Sequence, residues 1–126
     1  MSIRSNFKMF DSLKTSFRFQ NEYIYMTRGD TLAFAVELIG LDQDLDTCTF
    51  TIKKHLNDDS SAVKKSIGDG ITKVETGLYS VRVAPEDTAE LELGRYWYAL
   101  EISANGDVYT VMKGIIELSF DVREVE

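Results

Sequence analysis

The chain is poor in the residues that usually build catalytic, metal and disulfide sites. Its 126 residues include one cysteine, one histidine and one proline. The single cysteine, Cys48, excludes an internal disulfide and most cysteine-based metal sites, and its apolar, threonine-rich context is typical of a half-buried strand. His55 lies in a polar stretch, with no second histidine to share a metal and no serine or cysteine motif to complete a triad. P-loop, GxSxG, HExxH and GxGxxG motifs are all missing. The sequence therefore predicts no catalytic residues, no cofactor and no metal.

Long apolar runs and an excess of basic residues are also missing. No run approaches the roughly 20 apolar residues that span a bilayer, and no signal-peptide core is visible. The net charge is −7, and residues 1–20 carry four basic residues against one acidic residue, so the remaining residues hold −10. An acidic body argues against nucleic-acid binding, because that function needs a basic face to neutralise phosphates. We expect neither nucleic acid nor membrane among the partners.

A β-hairpin is the clearest local signal. Asn105-Gly106 lies between two alternating apolar segments, and Asn-Gly is the preferred pair for a type I′ turn. Counting outward from this turn pairs Ile102 with Tyr109 and Ala99 with Met112. The apolar phase changes near Gly114, where we expect a β-bulge.

The rest of the body alternates in the same way. Short strands are predicted at residues 23–26, 32–38, 48–53, 63–67, 71–74 and 79–83, the fourth of them at an edge. Proline at the first position and two acids after it predict one helical turn over Pro85–Leu91. Short strands separated by turns are typical of a β-sandwich or barrel. The predicted organisation is an N-terminal basic amphipathic arm at residues 1–21 and an all-β sandwich domain at residues 22–126.

The arm has helical spacing. Its apolar residues recur at intervals of three and four, which predicts one face of an amphipathic helix. They are Ile3, Phe7, Phe10, Leu13 and Phe17. The helix either packs on its own domain or docks on a neighbouring subunit; a basic, acid-poor start also resembles an organelle presequence.

Two short patterns invite functional readings that chance explains better. Arg28-Gly29-Asp30 matches a cell-adhesion tripeptide, but Gly-Asp is common turn chemistry. Asp42, Asp44 and Asp46 alternate like the start of a calcium loop, whose glycine and glutamate positions are not matched afterwards. We interpret these segments as a turn and a solvated acidic connection.

Trp97 is the candidate interaction residue of the body. It lies between Tyr96 and Tyr98 on a predicted strand, so its side chain faces opposite theirs. The predicted register places it on one face with Ala99 and Met112. That face is either covered by the arm or a partner subunit, or is a platform for a sugar. Trp97, Met112, Phe7, Phe10 and Phe17 are the candidate interaction residues.

Four segments of the chain resemble a known family. They are YMTRGDTLAFAVEL, TFTIKKHL, GLYSVRVAPEDTAELELGRYWYALEI and GDVYTVMKGIIEL. Their order and spacing resemble small β-sandwich domains of bacteriophage tail and baseplate proteins, such as the N-terminal domain of baseplate upper proteins. The recurring features are an opening RGDT, a PEDTA segment followed by G.Y.Y.L, and a closing G.VYT. They fall on Arg28–Thr31, Pro85–Leu100 and Gly106–Gly114.

The resemblance implies an immunoglobulin-like antiparallel β-sandwich that serves as a building block of a phage or prophage tail. It implies contacts with other tail or baseplate subunits, a homo-oligomer, location in the virion, and no cofactor. The alternative hypothesis is a carbohydrate- or surface-binding module with Trp97 as its aromatic platform.

Overall fold

A computed structural model describes residues 4–9, 17–20 and 23–120 of the chain. These residues form ten strands and one short helix. The strands are β1 (Arg4–Met9), β2 (Phe17–Gln20), β3 (Tyr23–Thr27), β4 (Leu32–Ile39), β5 (Thr47–Lys53), β6 (Val63–Ile67), β7 (Gly70–Glu75), β8 (Leu78–Val83), β9 (Gly94–Ala104) and β10 (Asp107–Ser119). The helix, α1, is Pro85–Thr88 between β8 and β9. The predicted all-β class with one helical turn is confirmed.

The strands form two facing layers that share one hydrogen-bonded order, β1-β4-β8-β7-β6-β5-β9-β10-β3-β2. The alternating burial of β4, β5, β8 and β9 sends every second side chain into one core. Phe34 on β4 and Phe50 on β5 are far apart in the strand order, yet their ring centroids lie 5.5 Å apart. This contact crosses the core, so the sheet is folded over into a sandwich.

The layers are joined by β6 and β7, which pair in parallel at Ser66–Gly70 and Ile67–Ile71. β6 also pairs with β5 over four residues. The prediction that residues 63–67 form an edge strand is therefore wrong. β6 has a neighbour on both sides, β5 in one layer and β7 in the other, and it therefore connects the two layers.

The helix predicted for the arm is also wrong for the residues that the structure describes. β1 pairs with β4 and places Phe7 opposite Val36, and β2 pairs with β3 and places Phe17 opposite Met26. Extended pairing at open sheet edges satisfies the backbone groups of these segments, and this tertiary pairing outweighs a weak helical period. Phe10 lies outside the described residues.

The β9–β10 hairpin has the predicted turn but a different bulge. Asn105 and Gly106 have φ values of 54° and 82°, as a type I′ turn requires. The first pairs after the turn, Ile102–Tyr109 among them, are as predicted. The register then shifts between Thr110 and Met112, three residues before the predicted position at Gly114.

This earlier bulge changes which side chains share a face. Beyond it, Leu100 pairs with Met112 and Ala99 with Lys113. Met112 is consequently 6% exposed and packs in the core, whereas Lys113 takes the outward position. The prediction that Met112 lies on the Trp97 face is wrong, because the bulge sends this long apolar side chain into the core.

Candidate functional site

Two of the segments that carry the family resemblance, the RGDT turn and the PEDTA segment, meet at one end of the sandwich. We call this region the α1 corner: residues 27–30, residues 85–92, Lys65 and Tyr96. Arg28 donates from Nη1 to the Leu91 carbonyl at 3.0 Å, and the Gly29 amide donates to Thr88 Oγ1 at 2.9 Å. The RGDT turn is thus hydrogen bonded to the PEDTA segment. Its arginine is held against the protein's own backbone, which favours a structural role for this tripeptide over a ligand for another molecule.

Asp87 holds the helix to the rest of the corner. Its Oδ2 accepts from the Ala84 amide at 2.7 Å, which caps the first turn, and lies 2.9 Å from Lys65 Nζ on β6. Tyr96 donates its hydroxyl proton to the Glu92 carbonyl at 2.8 Å, and burial raises its pKa. The polar groups of the corner therefore bind one another and position β9.

The acidic connection predicted as a solvated loop is engaged in a similar way at the opposite end. Asp46 Oδ2 accepts from the Asn105 amide at 3.1 Å, and Gln43 Oε1 accepts from the Asn105 side chain. Asp44 forms an ion pair with Lys73. These contacts fasten the loop to the hairpin turn and to β7. The described residues contain no cluster of three or more His, Cys, Asp or Glu side chains that would suit a metal ion.

Neither of the chain's two candidate reactive side chains has the surroundings of a catalytic group. Cys48 is 2% exposed, and burial raises the pKa of its thiol to about 12, so it stays protonated at neutral pH. His55 is exposed, and its backbone amide donates to Asp58 Oδ2 at 3.0 Å.

Trp97 lies on the outward face of β9, with 40% of its surface exposed. Its neighbours in the sheet are Lys53 on β5 and Ile115 on β10. Beside it the surface sinks into a depression of about 650 Å³. We call this the outer depression; it is lined by Thr51, Lys53, Leu56, Trp97, Tyr98, Ala99, Glu101, Lys113 and Gly114.

Small residues give the outer depression its shape. Ala99 on β9 pairs with Lys113 on β10, and Gly114 follows directly, so a methyl group and a bare backbone lie where larger side chains would fill the surface. Trp97 and Leu56, which is 64% exposed, add apolar surface to this depression. Apolar surface next to convergent polar groups is typical of binding sites.

Some charged side chains on this face of the sheet have partners within the protein. Farther along the face from the outer depression, Tyr23 donates to Glu117 Oε1 at 2.6 Å, and Arg95 Nε lies 3.5 Å from the same oxygen. The hydrogen bond from Tyr23 lowers the pKa of Glu117. Lys113 and Glu101, in contrast, are exposed and have no hydrogen-bond or ion-pair partner among the residues that the structure describes.

Of the five predicted interaction residues, the structure places only Trp97 on an exposed surface. Met112 belongs to the core, and Phe7 and Phe17 lie on strands β1 and β2, which the structure describes by backbone pairing. Sequence reasoning missed Lys113, Glu101 and Leu56. Their only signal was their alternation with buried residues, and for Lys113 that signal required the correct bulge position.

No protein-family model matches the chain, and no curated protein does. No helix among the described residues is long and apolar enough to cross a membrane. Among solved structures, the chain is similar to swine CD8 in a structure titled as a CD8aa homodimer, with a TM-score of 0.50 and 14% sequence identity. That match covers 83% of this chain and 99% of the CD8 chain.

At this identity the similarity concerns the fold alone, and the internal geometry agrees with it. Tyr96 at the start of β9, bonded to a carbonyl four residues upstream, has the geometry of the tyrosine corner of immunoglobulin-like domains. Antibody domains carry a disulfide cysteine two residues later, where this chain has Tyr98. The Tyr98 ring lies 5.8 Å from that of Phe50 on the neighbouring strand β5, and Phe50 in turn contacts Phe34 of the other layer. Aromatic contacts therefore link the two layers where antibody domains have the disulfide. The chain has an immunoglobulin-like β-sandwich fold.

Proposed function

We propose that this chain is a non-enzymatic structural module of a phage or prophage tail, which acts through protein–protein contacts with other tail or baseplate subunits. The tail assignment is supported by the order and spacing of the RGDT, PEDTA and G.VYT segments. The contact role is supported by Trp97, a large aromatic side chain that is 40% exposed on the long strand β9. Exposed aromatic residues in a depression are typical anchors of protein interfaces.

The arrangement of the α1 corner supports a building-block role. The RGDT and PEDTA segments are hydrogen bonded to each other, so the part of the resemblance that they carry concerns the architecture. The protonated Cys48 thiol and the solvent-facing His55 support the non-enzymatic part of the proposal. The proposed location is the virion, and the proposed state is a homo-oligomer that contacts further tail subunits.

The experiment that tests this function uses virus particles. Particles induced from a host that encodes the chain are purified and labelled with an antibody against it, and the label is located by electron microscopy. We expect the label on the tail or baseplate, and we expect particles from a deletion strain to have defective tails. Normal, infectious particles that do not contain the chain would contradict the proposal.

A carbohydrate-binding function is the second candidate, because the outer depression combines Trp97 with hydrogen-bonding groups of Thr51 and Glu101. Sugars stack on aromatic faces and bind polar groups around them. Trp97 is the only tryptophan in the chain, so its fluorescence reports directly on occupancy. Titration with oligosaccharides of the host surface should change the emission if this candidate is right, and a glycan array without signal would exclude it.

A further inference from the structure

The outer depression holds one basic and one acidic side chain that the protein leaves unpaired. Lys113 on β10 and Glu101 on β9 both project from the outward face, and both line the depression. Neither has a partner among the described residues, although Arg95 and Glu117 on the same two strands are paired. A surface with one unpaired charge of each sign is complementary to itself.

Self-complementarity is the property that a symmetric dimer requires. In an isologous interface the same patch is used twice, so a contact from residue i to residue j is repeated from j to i. One lysine and one glutamate on each copy supply two identical ion pairs across such an axis. Trp97 and Leu56 supply apolar surface next to them, as hot spots of protein interfaces do.

The local charge of this patch is less repulsive to a second copy than the overall charge of the chain. Each copy carries a net charge of −7, so two copies repel each other on average. The outer depression is an exception, because its lining includes Lys53 and Lys113 against only Glu101. Two copies that meet at this face bring together surfaces that are not acidic.

We propose that the outer depression is the interface of a homodimer in which Lys113 of each copy forms an ion pair with Glu101 of the other copy. The inference rests on the proposed function, an assembly module that acts through protein contacts, and it names a second copy of the chain as the first partner. Trp97 is the apolar anchor of the interface, and its exposed edge becomes buried when the dimer forms.

The test is a charge swap followed by sedimentation equilibrium of the full chain. In a dimer of the Lys113→Glu variant, each of the two ion pairs is replaced by two facing glutamates. Their repulsion should weaken the dimer about tenfold or more. Glu101→Lys should weaken it similarly. The double variant Lys113→Glu/Glu101→Lys restores both pairs with reversed polarity and should bring the dissociation constant close to that of the wild type.

Arg82→Glu is the matched control for net charge. Arg82 is exposed on β8, in the other layer, and the substitution changes the charge by the same amount as Lys113→Glu. We expect it to leave the dissociation constant nearly unchanged. A second measurement follows Trp97 fluorescence, whose emission should shift to shorter wavelength as the wild-type concentration rises through the dissociation constant.

Several results would overturn the inference. They are a wild-type chain that remains monomeric, an oligomer that Lys113→Glu does not weaken, a double variant that does not recover, and an equal loss in Arg82→Glu. A monomer that is nevertheless incorporated into tails would overturn the dimer and leave the assembly function intact. A dimer that behaves as described but is absent from particles would overturn the tail assignment, while the proposed dimer interface would still be supported.

Discussion

Tyr96 and Trp97 are neighbours on β9, but they belong to regions of opposite character. Tyr96 points into the α1 corner, is 3% exposed and donates a hydrogen bond to the chain. Trp97 points to the outer depression, is 40% exposed and lies near two unpaired charges. In the corner, the side chains of Arg28, Asp87 and Tyr96 bind other groups of the protein, whereas the depression leaves a lysine, a glutamate and an aromatic ring available.

This difference separates the residues that make the fold from those that are available to other molecules. The RGDT and PEDTA motifs lie in the corner, where the side chains of Asp87, Thr88 and Tyr96 bind other groups of the protein. The depression is not marked by one contiguous motif, because its residues come from three strands and a loop. We therefore expect substitutions in the corner to change stability, and substitutions in the depression to change association with little change in stability.

Asp87→Ala should have the largest effect on stability. It removes the hydrogen bond to the Ala84 amide and the ion pair with Lys65, whose side chain is 14% exposed. We expect a loss of about 3 kcal/mol in the free energy of unfolding, because a helix cap and a half-buried ion pair are lost together. Urea denaturation followed by circular dichroism measures this loss.

Asp87→Asn is the control that separates the two contributions. Asparagine can still accept a hydrogen bond from the Ala84 amide but carries no charge for Lys65. We expect roughly half of the loss. A full loss in this variant, or none in Asp87→Ala, would show that the cap is not what holds the corner.

Thr88→Val should cost about 2 kcal/mol, because valine has the same shape but leaves the Gly29 amide without an acceptor. Thr88 is fully buried, so water cannot replace the lost hydroxyl without a rearrangement. Amide hydrogen exchange at Gly29 should become faster. Thr110→Val, at an exposed position of β10, is the control and should not destabilise the chain; equal losses in both variants would contradict the role of this hydrogen bond.

Tyr96→Phe should cost about 1 kcal/mol, the usual net contribution of one hydrogen bond. The ring remains in the core and only the bond to the Glu92 carbonyl is lost. Tyr109→Phe, a half-buried tyrosine on β10, is the matched control and should change stability little. A thermal melt that shows the same change for both variants would mean that Tyr96 acts only through its ring.

The sequence predicted the local features of this fold well. Asn105-Gly106 specifies its turn through its own backbone preferences, and the alternation along β4 and β5 specifies their buried faces. Pro85 and the acids after it likewise predicted α1, because helix-start chemistry acts within one turn.

Features that depend on distant pairing were not predictable in the same way. Val111 and Met112 are both apolar, so the alternation near them fits a bulge at either place, and only the packing of Met112 against the core decides. β1 was predicted as a helix because its pairing with β4 is invisible to local spacing. The outer depression depends on the same bulge, since Lys113 lies opposite Ala99 only after the register has shifted.

The smallest expected effect comes from a comparison of two lysines, and it tests the contrast between the regions most directly. Lys65→Ala in the α1 corner removes the ion pair with Asp87 and should cost about 1 kcal/mol. Lys113→Ala in the outer depression removes an exposed side chain without a partner and should change the free energy of unfolding by less than about 0.5 kcal/mol. Chemical denaturation at a concentration where the chain is monomeric measures both values.

If Lys113→Ala cost as much as Lys65→Ala, the side chains of the depression would stabilise the fold, and its charges would not be available to a partner. If the order holds, and Lys113→Ala also weakens self-association, the residue that contributes least to stability is the one on which assembly depends.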